Sequence, residues 1–203
     1  MNRLLVFLTA ALVLLSASAA RADTAGVSFT APGTAFNNGD GYSLGFVFTA
    51  TSAFAVDALG YYDNNGLTEI HQVGLYNSSG TLLASATVDG TGTQVGFFNY
   101  EPISDVDLIA GQTYQVVGTS GVVDPYAFST VGFSTASNIT FDNDIYTPGN
   151  TLAFGQLTDG NSNGYFGPNF EEVGSPVPEP STLALFGTGL LSVCGLVRRR
   201  LQS

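Results

Sequence analysis

Between Asp23 and Glu179 the sequence contains neither lysine nor arginine. All five basic residues are arginines outside that stretch: Arg3 and Arg21 before it, Arg198, Arg199 and Arg200 after it. All sixteen acidic residues fall within it, so the stretch carries a formal charge of −16 against −11 for the whole chain. With no cation to neutralise phosphates, direct nucleic-acid binding is excluded. Anionic lipid and sulfated polymers are disfavoured for the same reason. Each carboxylate must be solvated, hydrogen-bonded or bound to a cation, for which Ca²⁺ is the obvious hard ion. Charge of this size serves first to keep a domain soluble. Cysteine is nearly absent too: Cys194 stands alone in an apolar segment near the C-terminus, so no disulfide staples the body of the chain. Residues 23–175, 153 positions, must hold together by burial, which is ample for one core and thin for two.

The two ends carry transport signals. Arg3 precedes an uncharged apolar run at 4–15, and small residues follow, ending in Ala20-Arg21-Ala22. This is the layout of a secretory signal peptide, cut before Asp23, with Ala17-Ser18-Ala19 as a second cutting point. The twelve-residue run is too short to span hydrocarbon, which takes about 20 residues. Near the other end, 181–197 is a 17-residue run without a charged side chain, followed at once by Arg198-Arg199-Arg200. As a helix it measures about 25 Å, a marginal span. The arginines stay on the cytoplasmic side and leave the preceding domain outside.

The tail Pro178-Glu179-Pro180-Ser181, apolar run and arginine cluster resembles the PEP-CTERM sorting signal of Gram-negative bacteria. The resemblance covers about residues 178–203. It implies export through the Sec machinery with signal peptidase, a transient inner-membrane anchor, and recognition by an exosortase near the Pro-Glu-Pro. It also implies a surface, outer-membrane or matrix destination in a bacterium that makes exopolysaccharide and biofilm. The expected organisation is a signal helix at 1–22, a domain at 23–175 and a tail at 176–203. The tail divides into linker and motif (176–181), transmembrane helix (182–197) and basic end (198–203).

The body reads as all-β. Short runs of aromatic and β-branched residues are closed by Gly, Asn or Pro, without a helical period. Leu44, Phe46 and Phe48 share a strand face, as do Phe54, Val56 and Ala58. His71, Val73 and Leu75 share another, as do Leu82, Ala84, Ala86 and Val88, with Asn77-Ser78-Ser79-Gly80 between them as a hairpin turn. Val95 with Phe97, and Tyr114 with Val116, continue the pattern. The expected architecture is an antiparallel β-sandwich or jelly roll. From Gly155 the composition turns to glycine and asparagine, and Ser175-Pro176-Val177-Pro178 reads as a stiff linker. The order Leu59-Gly60-Tyr61-Tyr62-Asp63, His71-Gln72-Val73-Gly74-Leu75-Tyr76, Gly80-Thr81-Leu82-Leu83-Ala84 and Ala110-Gly111-Gln112-Thr113-Tyr114 is similar to a β-sandwich domain of unknown function from secreted and PEP-CTERM proteins. That likeness spans about residues 44–119 and implies a fold, not an activity.

Three loops offer oxygen ligands. Asp159-Gly160-Asn161-Ser162-Asn163-Gly164 has the first half of a calcium loop, with Asp159, Asn161 and Asn163 at alternate positions. Its second half fails, because Phe170 stands where the bidentate glutamate belongs and Glu171 comes one place late. Asp142-Asn143-Asp144 and Asp63-Asn64-Asn65-Gly66 are the others; solvated turns are the plainer reading of such loops. His71, the one histidine, lacks the partners for a zinc site of the usual composition and reads as a buried strand residue. No nucleophile-elbow sequence is present, and no enzyme is expected. Tyr61, Tyr62, Tyr100, Tyr126, Tyr146 and Tyr165 suit either stacking on a neutral polysaccharide or an ordinary core and rim.

Overall fold

The structure, a computed structural model, describes residues 21–37, 39, 41–160 and 164–176. Residues Asp23–Val173 form a compact unit. The expected signal helix, apart from residues 21 and 22, lies outside the described residues, and so does the transmembrane helix. Among the described residues no helix is long and apolar enough to cross a membrane.

Among the described residues fourteen strands run in chain order. They are β1 (Arg21–Ala25), β2 (Val27–Ser28), β3 (Thr34–Phe36), β4 (Tyr42–Ala50), β5 (Phe54–Tyr62), β6 (His71–Asn77) and β7 (Leu82–Val88). Then come β8 (Thr93–Val95), β9 (Phe98–Leu108), β10 (Thr113–Thr119), β11 (Tyr126–Phe128), β12 (Ser134–Thr135), β13 (Ile139–Pro148) and β14 (Pro168–Pro176). One five-stranded sheet has the order β1-β14-β5-β9-β8, the other β13-β4-β10-β6-β7, and two small ribbons pair β11 with β3 and β12 with β2. The fold is an antiparallel β-sandwich.

Alternation explains the core. Phe46 and Phe48 of β4 point between the sheets, opposite Val116 and Tyr114 of β10. Phe48 stacks at 4.8 Å on Phe170 of β14, joining the two layers. The predicted β6–β7 hairpin forms: Gly80 takes φ +80°, which a side chain would resist, and the Asn77 carboxamide oxygen accepts the Ser79 and Thr81 amides. A second apolar cluster lies on the outer face of the β4-containing sheet. Tyr76, Val117 and Ile145 are covered there by Leu152 and Phe154. Buried Ser43 and Gln115 hold that cover by bonding the backbone of Thr151, Ala153 and Gly155.

Several local expectations are corrected. Val95 and Phe97 do not share a strand face; Gly96 (φ +59°) and Phe97 form a two-residue turn that pairs Val95 with Phe98. Leu83 is an extra residue in β7, which leaves Leu82 exposed while Ala84, Ala86 and Val88 keep the inward phase. The glycine- and asparagine-rich region beyond Gly155 contains a strand, β14, which runs through Ser175 and Pro176, residues expected to be linker. Phe170 is fully buried in the core and Glu171 pairs with Ala58 of β5. The missing half of the calcium loop is therefore a sheet strand.

Candidate functional site

Chemistry-bearing side chains gather in three places. The first is a buried lock between the loop before β6 and the loop after β10. His71, fully buried, stacks on Tyr61 of β5 with centroids 3.7 Å apart and planes within 5°. Its Nδ1 donates to the Thr119 carbonyl at 2.8 Å, and its Nε2 lies 3.3 Å from Asp124 Oδ2, an ion pair when the ring is protonated. Asp124 accepts the Thr68 and Glu69 amides and the Thr68 hydroxyl. Glu69 in return accepts the amides of Val122, Val123 and Asp124. Each loop thus satisfies the other's backbone. Gly121 leaves room beside it, because a Cβ there would meet the Glu69 carboxylate and force it to shift. Burial works against charge on both acids. For Asp124 the Glu69 amide, the Thr68 hydroxyl and amide and the His71 ring outweigh it; for Glu69 the three loop amides do. Both pKa values are held below the ordinary carboxylate range. Glu69, His71 and Asp124 are the grouping among the described residues whose ligand atoms all lie within 4.8 Å of one another. Their oxygens already serve backbone amides, so the arrangement acts as a clamp between loops.

The second place is a tyrosine cleft of about 170 Å³ lined by Tyr42 and Leu44 of β4, Tyr146 of β13, and Tyr165. Tyr42 meets Tyr146 at 6.2 Å and 66°, and Tyr146 meets Tyr165 at 5.8 Å and 75°, so the rings stand as walls rather than in a stack. Buried Tyr126 supports Tyr165 edge-on. The Tyr165 hydroxyl donates to Asp159 Oδ2 at 2.7 Å. Burial first, then the bond to Asp159 and the charges of Asp159 and Asp144, push the Tyr165 phenol well up, so it stays neutral. Tyr126 is pushed up to about 12, mainly by burial. Tyr165 has φ +57°, a left-handed conformation costly for a bulky side chain.

The third place is an acidic cleft of about 300 Å³ whose lining includes Asp23, Asp57, Tyr100 and Glu171. Asp57 is the bulged residue of β5. Burial, then the charges of Asp23 and Asp57, push Glu171 up to about 7.

The six tyrosines named from sequence divide. Tyr61, Tyr62, Tyr100 and Tyr126 are core residues, whereas Tyr146 and Tyr165 are half-buried at the cleft. Tyr42 was missed, because it shares its phase with Leu44 and Phe46 and only its place at the strand start brings it to the rim. Of the oxygen-ligand candidates, Asp144 and Asp159 act on the same phenol, Tyr165. Asp144 is buried and accepts the Thr158 hydroxyl. Asp63 caps its own turn through the Gly66 amide. Asp142, the bulged residue of β13, accepts the Thr49 hydroxyl. Asn161 and Asn163 lie outside the described residues, as do the sorting residues Pro178, Glu179, Pro180, Ser181, Arg198, Arg199 and Arg200 and the cleavage residue Ala20. The side chain of Ala22 is likewise not described. Glu69 and Asp124 were missed as site residues; they stand 55 positions apart and nothing local couples them.

Residues 29–166 match the family described as Domain of unknown function (DUF4082). The chain belongs to this family. The match reaches well past the 44–119 segment whose likeness the sequence carries, and takes in the lock's second loop and the cleft strand β13. Residues 176–200 match the PEP-CTERM protein-sorting motif, so this family member is marked for export and for membrane-associated processing by an exosortase. No curated protein matches the chain. A solved structure titled "Xyl-CBM35 in complex with glucuronic acid containing disaccharide" is similar at 18% identity over 65% of this chain and 97% of that one, with a TM-score of 0.28.

Proposed function

We propose that this protein is a non-catalytic component of the bacterial cell surface or extracellular matrix, delivered by its sorting tail and retained among exopolysaccharide by its β-sandwich. The observation that carries the reading is the PEP-CTERM motif at 176–200. It follows a domain that has no lysine or arginine and therefore no electrostatic hold on nucleic acid or anionic membrane. The absence of catalysis is supported by the lock, where both nitrogens of His71 are committed to structural partners and none to a nucleophile's hydroxyl. In the native host, replacing Pro178, Glu179 and Pro180 together by alanine is expected to strand the protein in the inner membrane, while the unaltered chain fractionates with surface and matrix material. Identical fractionation of the two would contradict the reading.

A further inference from the structure

We propose that the cleft walled by Tyr42, Tyr146 and Tyr165 is a binding site for a neutral pyranose unit of a polysaccharide. The inference rests on the matrix reading above and adds the site and the ligand class.

The cleft's size suits one sugar ring. About 170 Å³ is room for five or so waters at their liquid volume, too little for an oligosaccharide to enter whole. A chain polymer would therefore be gripped one unit at a time along the surface. The rings are also in the right state of burial. Unlike the core tyrosines, all three are only partly buried, and at mutual angles of 66° and 75° they meet edge to face, so the rings line the cleft instead of stacking flat on one another. A pyranose offers C–H-rich faces for such rings and hydroxyls around its rim. The paired Tyr165 hydroxyl and Asp159 carboxylate stand at the edge of the cleft to accept those hydroxyls.

Backbone strain gives an independent reason. A bulky residue at φ +57° costs roughly 1–3 kcal/mol, and asparagine or glycine would relieve it. Tyr165 nevertheless holds that position, and the turn it makes swings its ring over the cleft. Strain of this kind persists where a side chain's aim matters more than its comfort.

Charge selects the sugar class. The stretch from Asp23 to Glu179 carries −16 with no lysine or arginine, and Asp144 and Asp159 lie close enough to Tyr165, one of the cleft's walls, to act on its phenol. A uronate or sulfate would meet like charge without a cationic partner. The Tyr165 phenol stays protonated, so that wall remains an uncharged hydrogen-bonding surface.

The test is affinity electrophoresis of the exported protein in gels containing hydroxyethylcellulose, galactomannan or polygalacturonate, and in gels containing the host's own exopolysaccharide. Retardation by the host polymer and by at least one neutral probe, and none by polygalacturonate, is expected. Tyr42→Ala and Tyr146→Ala should each weaken that binding about tenfold or more. Tyr165→Gly is the sharpest variant, because it removes the ring and relieves the backbone. It should lose binding while melting no lower than the parent, an outcome a purely structural tyrosine would not give. Host-polymer binding that survives all three substitutions overturns the cleft and leaves the matrix reading standing. Retardation by polygalacturonate alone overturns the neutral class. No retardation by any polymer overturns both the cleft and the matrix reading.

Discussion

Asp124 shows how a single carboxylate organises this domain. It gathers two amides and a hydroxyl beside the His71 imidazole, and its loss would leave the amides of Thr68 and Glu69 and the Thr68 hydroxyl without their acceptor. Asp124→Ala is expected to destabilise the domain by about 3–5 kcal/mol, read by denaturant titration. A change below about 1 kcal/mol would mean the clamp contributes little. Glu171 has the opposite character. Its folded pKa is raised to about 7, so between pH 4.5 and 7 the unfolded chain gives up the proton while the folded chain keeps it. Stability therefore falls as pH rises through that window and levels off above it. Glu171→Gln should remove this slope, gaining roughly 1–3 kcal/mol at pH 8 and little at pH 4. Glu69 and Asp124 have lowered values, so their contribution is lost as pH falls below the ordinary carboxylate range. Melting curves across pH check both signs. At this scale the sequence is only partly legible. Burial of His71 follows from its alternation with Val73 and Leu75, but its partners lie about 50 residues away and no local pattern joins them.

Among elements, β14 is the instructive case. Its Asn169-Phe170-Glu171-Glu172 reads as a polar turn region, yet the strand lies between β1 and β5 with all four residues buried. Asn169 makes this workable. Its side-chain oxygen accepts the Val27 amide, and its amide nitrogen donates to the Val27 carbonyl and to the Tyr100 hydroxyl. The carboxamide acts as a stand-in for a neighbouring strand, satisfying backbone that would otherwise be buried without partners. Asn169→Ala is expected to cost about 2–4 kcal/mol, measured by thermal or urea unfolding, because three polar atoms lose partners at once. A neutral effect would show that the contacts are incidental. Strands β4, β6 and β10 were readable because their inward positions are aromatic or aliphatic at period two. β9 shifts register against β5 between Val106 and Pro102, and β13 bulges at Asp142; such an irregularity resets the phase that alternation depends on.

For the whole molecule, sandwich architecture, acidic surface and sorting tail were all legible, because each rests on composition or on a contiguous motif. The cleft was half legible: Tyr146 and Tyr165 stand out as aromatic residues near Asp and Asn, but which tyrosines reach the surface is settled by where the strands end. For the chain as a whole, we propose that the exported domain is processed at both ends. The direct measurement is the intact mass of the protein recovered from its native host. The account predicts a mass lacking residues 1–22 and the residues after the Pro178-Glu179-Pro180 region. A mass that retains 181–203 would contradict it and make the protein a simple membrane-anchored ectodomain.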